Sequence, residues 1–445
     1  MLRIGGELQL SASDLVGHLN CRHLTSLDSA VANGVLQKPK IWDPLLEILW
    51  ERGSIHERNY IEHLKSAGYQ LVEIEGVGID QTQVDKTIQA MQAGAEIIVQ
   101  GAFLGKKWSG RTDILRRVNA PSDLGGWSYE VVDTKLARET KGGTVLQLCL
   151  YSDLVSAAQG RTPEFMHVVA PWSNYEPQTF RTADYSAYYR RVKQSLEQSV
   201  FEQAHESTYP DPKEHCDICR WRLQCDARRR TDDHLCLVAG ITKVHINELK
   251  RRDISTTTEL ASVPLPLTWK PERGVLHSYE RIREQARIQI AGRTAGKPIF
   301  EVLPVVPGLG LSYLPAPSAG DIFLDLEGDP FVGEGGLEYL FGYLVAKEDG
   351  THEYIGEWAL SRADEKRIFE NFVDFVINRW ARHPDLHIYH YAPYEPSALK
   401  RLMGRYATRE SMGSGNQWGR NQWGRTRLIS RPRYPREADA KYDVS

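Results

Sequence analysis

The run YEVVDTKL (129–136) reads as a β-strand in which Asp133 and Lys135, two residues apart, point to the same face. GRTDIL (110–115) places a second acid, Asp113, inside another strand. Side chains held in this way need a sheet, and the surrounding text supplies one. WDPLLEILWERGSIHERNYIEHLKSAG (42–68) carries apolar residues at helical spacing and ends in Gly68, where a helix can stop. YQLVEIEG, EIIVQGAFL, GRTDILRRV and WSYEVVDTKL are β-type runs punctuated by Gly and Asn. TVLQLCLYSDLVSAAQG then reads as a helix and EFMHVVAP as a strand. The order helix, strands, helix, strand makes residues 1–235 a mixed α/β domain.

Composition limits the partners. With 55 Lys+Arg against 58 Asp+Glu the 445-residue chain has a formal charge of −3, so nucleic-acid binding must come from local basic patches. At 41% hydrophobic and 25% charged residues it matches a soluble globular protein long enough for two or three domains. The N-terminus lacks a basic start followed by an apolar run, and no stretch of about 18 apolar residues occurs. The expectation is a cytoplasmic protein with no membrane partner.

Residues 236–310 read as a helical connector and linker. LVAGITKVHINELKRRDISTTTELASV resembles a helix-hairpin-helix and equally fits a plain connector, and VLPVVPGLGLSYLPAPSAGD (302–321) is dense in Pro and Gly. AGRTAGKP (291–298) is no phosphate-binding loop, being one residue short and ending in Pro where Ser or Thr must meet Mg²⁺. Residues 311–410 give three meander strands, a helix, the strand LHIYHYA and the helix EPSALKRLMGRY. From 411 to 445 the repeated NQWGR and an Arg- and Pro-rich text cannot bury a core; this tail reads as a truncated or frame-shifted end in preference to a disordered extension.

Asp113 and Asp133 form a usable site for Mg²⁺ or Mn²⁺, with the Thr134 carbonyl as a further oxygen. Lys135 beside it can orient or deprotonate the attacking water and stabilise charge on a phosphate. Gln147 and Tyr151 lie four apart on one helical face downstream, and His56 stands in the upstream helix. Glu57 and Glu130 read as solvated. Six cysteines occur, and Cys216, Cys219, Cys225 and Cys236 fall within 21 residues, a clustering that in a reducing compartment suggests a metal. Cys149, in an apolar run, reads as core. A four-thiolate site can be completed by Cys236, which favours zinc by spacing, or by Cys21. Arg220, Arg222, Arg228, Arg229 and Arg230 give a local basic excess, and Trp221 offers a stacking face, so Arg220, Trp221, Arg222 and Arg228 are expected to bind nucleic acid.

The order His56, Asp113, Asp133-x-Lys135, Gln147-x₃-Tyr151 resembles the RecB-like branch of the PD-(D/E)XK nucleases. The resemblance implies that His56, Asp113 and Asp133 bind the divalent metal, that Lys135 is the catalytic lysine, and that Gln147 and Tyr151 position the strand or the lysine. RecB-like enzymes with one cysteine before the core and a CxxC group after it hold a [4Fe-4S] cluster, which implies Cys21, Cys216, Cys219 and Cys225 as its ligands, with zinc as the alternative. In DIFLDLEGDP, Asp325 and Glu327 point the same way, and Glu395 follows the fourth strand; this resembles the ribonuclease H-like exonucleases of the DEDD type. The resemblance implies a second metal site there, although a fourth acid is missing from the readable text. The whole arrangement resembles a bacterial family of RecB-like nucleases whose longer members carry a helicase, which implies DNA and a helicase as partners. The expected function is a metal-dependent DNA nuclease. The rivals are a 3′-to-5′ exonuclease on RNA or DNA run by the second domain, and a non-catalytic nucleic-acid-binding module.

Overall fold

A computed structural model describes residues 1–40, 44–76, 78–137, 139–202, 208–307, 310–333, 335–347 and 349–406. The tail expectation for 411–445 lies outside the described residues. The chain folds as two units, Met1–Glu301 and one beginning at Val302.

The first unit opens with a hairpin, β1 (Leu2–Ile4) and β2 (Glu7–Gln9), and the helices α1 (Ala12–Asn20), α2 (Arg22–Ala32) and α3 (Pro44–Ser66). There follow β3 (Leu71–Glu73), α4 (Gln81–Gln92), β4 (Ile97–Leu104), β5 (Ser109–Val118), β6 (Ser128–Thr134), α5 (Gly142–Gln159), β7 (Phe165–Val169), β8 (Gln178–Arg181) and α6 (Thr182–Glu197). The six strands β3 to β8 stand in sequence order. Pairings β4–β5, β5–β6 and β7–β8 are antiparallel, whereas β3–β4 and β6–β7 are parallel. Helices cover both faces. Leu15, Met91, Leu148 and Leu196 pack with Leu115 and Val131 on one side, and Tyr60 and Leu64 of α3 pack with Ile114 and Val132 on the other. This is why β6 is apolar around its acid: both of its faces are closed to water. Four helices escape the sequence pattern, namely α1, α2, α4 and α6, as do the short strands β1, β2 and β8. Two of the helices carry a readable start signal, since Ser11 with Asp14 and Asp80 with Gln83 form capping boxes.

Further along come α7 (Arg222–Thr231), α8 (Lys243–Lys250), α9 (Thr257–Ser262) and α10 (Leu276–Ala295). The last three enclose a small core of Leu249, Leu260, Tyr279 and Ile282. They fold with the first unit: the Thr257 amide donates to the Asp233 carbonyl, and Arg293 pairs with Asp233. The AGRTAGKP text is the C-terminal end of α10, closed by Gly296 at φ 64°, so it opens no helix for a phosphate.

In the second unit β9 (Ile322–Asp329), β10 (Leu337–Ala346) and β11 (His352–Trp358) form a meander, followed by α11 (Arg362–Arg382), β12 (Ile388–Tyr389) and α12 (Tyr394–Tyr406). The sheet order is β11-β10-β9-β12, with β12 parallel to β9. Ile322, Leu324 and Leu326 face the α11 and α12 side of the sheet, where Phe372 and Leu399 are buried. Among the described residues no helix is long and apolar enough to cross a membrane.

Candidate active site

Pairing of Ile114 with Val132 brings Asp113 on β5 and Asp133 on β6 to neighbouring positions. Asp133 is 0% exposed. Lys135, one residue past the strand, continues the β6–β7 pairing by donating its amide to the Val169 carbonyl at 3.0 Å, which fixes the side-chain direction. Its Nζ lies 2.9 Å from Asp133 Oδ2. This buried ion pair is the one close contact of Oδ2 among the described residues. Asp113 Oδ2 accepts from the Thr134 amide at 2.9 Å and hydroxyl at 3.0 Å. Thr134 thus acts on the site through donors. From α5, Gln147 Nε2 reaches Asp133 Oδ1 at 3.5 Å and donates to the Tyr151 hydroxyl at 3.2 Å. Gly110 makes room for this, because a Cβ there would stand 2.9 Å from the Tyr151 ring.

The electrostatics follow from burial. Burial and the nearby Asp113 raise the Asp133 carboxyl well above the ordinary range, against the opposing pull of Lys135. Burial disfavours the Lys135 ammonium, but Asp133, Asp113 and Glu57 outweigh it and its pKa stands above the usual lysine value. Lys135 is therefore a cation here. Burial and both aspartates also push the Tyr151 hydroxyl up.

His56 and Glu57 each take contacts that the sequence reading did not give them. The buried His56 ring gives its Nε2 to the Val169 carbonyl at 3.0 Å. A carbonyl only accepts, so Nε2 carries the proton and Nδ1 is the one nitrogen left for a metal. Glu57, expected to be solvated, is half-buried beside the aspartates; burial first, then Asp113, raises its pKa, while Gln100 and Lys135 lower it. Its Oε1 accepts from Gln100 Nε2 at 2.5 Å, and Gln100 Oε1 accepts from Arg111 at 2.9 Å. Gln100 adopts φ 58° within β4, a left-handed conformation costly for a non-glycine residue. Glu130 is neither solvated nor at the site. Its side chain is buried, accepting from Phe165 N at 3.1 Å and meeting His167 Nε2 at 2.9 Å, on the face of β6 opposite Asp133.

Among the described residues no group of three or more His, Cys, Asp or Glu side chains is placed to hold a metal ion as it stands. The donors available to one are Asp113, Asp133, Glu57 and His56 Nδ1. The Asp133 carboxylate, whose Oδ2 already attracts the Lys135 ammonium, is the feature that fits a cation.

The cysteines divide as four and two. Burial pushes the Cys225 thiol up to about 11, Arg229 opposes, and Cys219, Cys216 and Cys21 add to the rise. Cys219 likewise feels Cys216 and Cys21. The neighbours of Cys236 are instead Arg229, Asp211 and Asp226. Cys149 is core, 4.0 Å from the Met166 sulfur. Trp221 holds α2 against this turn: it is 2% exposed, and its Nε1 donates to Asp28 at 3.0 Å. Its ring is closed to a base, which corrects the stacking expectation. Much of the expected basic excess is also neutralised, since Arg222 lies 3.8 Å from Asp226, Arg228 2.7 Å from Asp232, and Arg229 is buried on Asp226.

In the second unit Asp325 and Glu327 alternate with buried residues and share the exposed face of β9. Glu395 sits in the first turn of α12, past the end of β12 where the sequence reading put it. It is buried, with Oε2 3.5 Å from His390 Nδ1, and burial raises its pKa while Asp325 adds to the rise. His390 Nδ1 meets the Ala392 carbonyl at 2.8 Å. Glu395 Oε2 and His390 Nε2 have no hydrogen-bond partner. A neighbouring network left no trace in the residue pattern. Arg401 and Tyr394 hold Glu338, and Arg362, Arg405 and Tyr406 hold Glu365, tying α11 and α12 to β10.

A sheet-end pair of acids with a lysine two residues on is a constellation suited to metal-assisted phosphodiester hydrolysis. The family model of the PD-(D/E)XK nuclease superfamily matches residues 21–226, and that of the RNase_H superfamily matches residues 322–421. The chain thus carries one domain of each of two hydrolytic nuclease superfamilies, which generally use divalent metals such as Mg²⁺. No curated protein matches it.

Proposed function

We propose that the protein is a RecB-like, Mg²⁺- or Mn²⁺-dependent nuclease that hydrolyses phosphodiester bonds in single-stranded or end-bearing DNA, in repair, recombination or defence, with its working centre at Asp113, Asp133 and Lys135. The observation that carries this reading is the buried Asp133, whose Oδ2 is ion-paired with the cationic Lys135 at 2.9 Å. Asp113, Asp133, Glu57 and His56 Nδ1 are the donors for the metal, which supplies Lewis acidity toward the scissile phosphate. Lys135, held as an ammonium by three carboxylates, offsets the charge that grows on the phosphate oxygens in the transition state. Gln147 orients Asp133 and Tyr151. In the same reading Cys21, Cys216, Cys219 and Cys225 hold a [4Fe-4S] cluster. The superfamily match begins at Cys21 and ends one residue beyond Cys225, which supports treating these thiols as part of the nuclease domain. The test is hydrolysis of end-labelled and circular single-stranded DNA with and without Mn²⁺, by wild type and Asp133→Ala. Metal-dependent cutting lost in the variant supports the reading; cutting by the variant at the wild-type rate overturns it.

The second reading, an exonuclease centre in the ribonuclease H-like domain, draws on the buried Glu395, which meets His390 and is electrostatically coupled to Asp325, and on His390 Nε2, which has no hydrogen-bond partner. Asp325→Ala tests it in the same assay.

A further inference from the structure

A groove of about 650 Å³ runs in the first unit between α1 and α2, the start of α5 and the turn at 215–220, and Gln147 lines it together with Cys219 and Arg220. Gln147 also reaches Asp133 Oδ1 at 3.5 Å, so this one side chain touches both the groove and the nuclease centre. We propose that it is the track of a single strand of nucleic acid, led across the cysteine turn to Asp133 by Lys38, Lys141 and Arg220. The proposal rests on the nuclease reading for its direction, and its charges come from the groove itself. Two acids line the groove, and both are engaged: Asp14 accepts from the Ser11 amide at 2.9 Å and hydroxyl at 2.7 Å, and Asp28 accepts from Trp221. Lys38, Lys141 and Arg220 have no ion-pair or hydrogen-bond partner among the described residues, and both lysines are exposed. The three cations therefore face the groove uncompensated, and the positive end of the 18-residue α5 adds to them. Such a line of charge binds phosphates whatever the base sequence.

The groove's volume, about 650 Å³, is in the range of sites that enclose small molecules, which is room for a short stretch of one strand. One wall is the turn carrying Cys216 and Cys219, so the integrity of the cysteine set shapes the track as well as the fold.

The test uses the full chain without divalent metal, so that binding is read without cutting. Anisotropy of a fluorescent 20-nucleotide single strand and of the matching blunt duplex is followed across a salt series, for wild type, the triple variant Lys38→Ala/Lys141→Ala/Arg220→Ala, and Lys86→Ala on an exposed face of α4. We expect the triple variant to lose about tenfold or more in single-strand affinity, and its log–log salt slope to shrink by about 2, three contacts at about 0.7 each. Lys86→Ala should match wild type. Because exposed side chains are changed, thermal melting should be unaltered; the single variant Lys141→Gln repeats the test with least disturbance and should show a fraction of the loss. Unchanged affinity and slope in the triple variant overturn the proposal, as does a duplex bound as tightly as the strand. RNA of the same sequence bound within a few-fold supports backbone tracking, and binding of RNA alone overturns it. A wild type that binds the strand but never cuts it with Mn²⁺ sinks the nuclease reading and leaves the track standing.

Discussion

In the first unit Asp133 is enclosed within a six-stranded sheet with Lys135 2.9 Å away, while in the second Asp325 and Glu327 lie on the exposed face of β9 and the nearest buried acid, Glu395, is matched with His390. Burying a carboxylate is costly unless a partner offsets it. The first centre meets that cost with a cation at the reacting end of the strand, so its acids stay grouped and its lysine stays charged. The second unit commits Arg362, Arg401 and Arg405 to Glu338 and Glu365, which fasten α11 and α12 to β10. Its DxE pair shows no lysine or arginine contact among the described residues. Similar acidic motifs thus end in different states of readiness, and the placement of cations separates them.

The largest effect should come from the first centre. Lys135→Ala or Asp133→Ala should lower metal-dependent cleavage by about 10²–10⁴-fold in steady-state assays, with circular dichroism and strand binding retained. Asp325→Ala should cost at least about a hundredfold less than either. A loss of equal size on Asp325→Ala breaks the comparison. Iron content comes next: anaerobically purified protein should be brown with about four irons per chain, and Cys21→Ser should lose the colour while Cys236→Ser keeps it. A colourless protein with one zinc that depends on Cys236 would reverse that assignment. Glu57→Gln should cost about 10- to 100-fold in metal affinity or activity, the range for groups that support a metal site, and Gln100→Ala should give part of that loss with the larger share in metal affinity. Equal activity of Glu57→Gln and wild type over a Mn²⁺ titration would return Glu57 to a solvent role.

The smallest effect is on stability. Burial first and Asp113 second raise the folded pKa of Asp133, so the metal-free folded state holds its proton more tightly than the unfolded chain does. That contribution is fully present below pH about 4, the ordinary aspartate value, and is lost as pH rises through the raised folded value. Metal-free wild type should therefore lose Tm between acid and neutral pH relative to Asp133→Asn, and saturating Mn²⁺ should close the gap. Parallel melting profiles for the two proteins would show that the carboxyl is not strained by its burial.

Strands and long helices were legible because both faces of β4, β5 and β6 are covered, leaving dense apolar runs, and because α3 keeps helical spacing. The Asp-x-Lys spacing put both residues of the proposed centre at the end of one strand, and there Asp133 and Lys135 stand 2.9 Å apart. What stayed hidden was decided over distance. Whether His56 or Glu57 turns toward the aspartates depends on the roll of α3 against Val169, which GSIHERNY does not encode locally. The left-handed Gln100 leaves no trace, since glutamine is not a residue that marks positive φ. Trp221 beside several arginines looked like an open face, and Asp28, far upstream, closes it. The polar helix α4 has few apolar residues to betray its period, and only its capping box was there to read.

Cys21 stands at the junction of α1 and α2, and the thiols proposed to share a cluster with it, Cys216, Cys219 and Cys225, emerge about 200 residues later. At about 5–20 residues per second the ribosome takes roughly 10–40 s to span that interval. Throughout it the nascent sheet must form with its first thiol waiting, so anything that captures Cys21 early, such as an oxidant or a stray zinc ion, competes with the rest of the chain in time rather than in affinity. A slow stretch of synthesis before residue 216 would lengthen that exposure, and a fast one would shorten it.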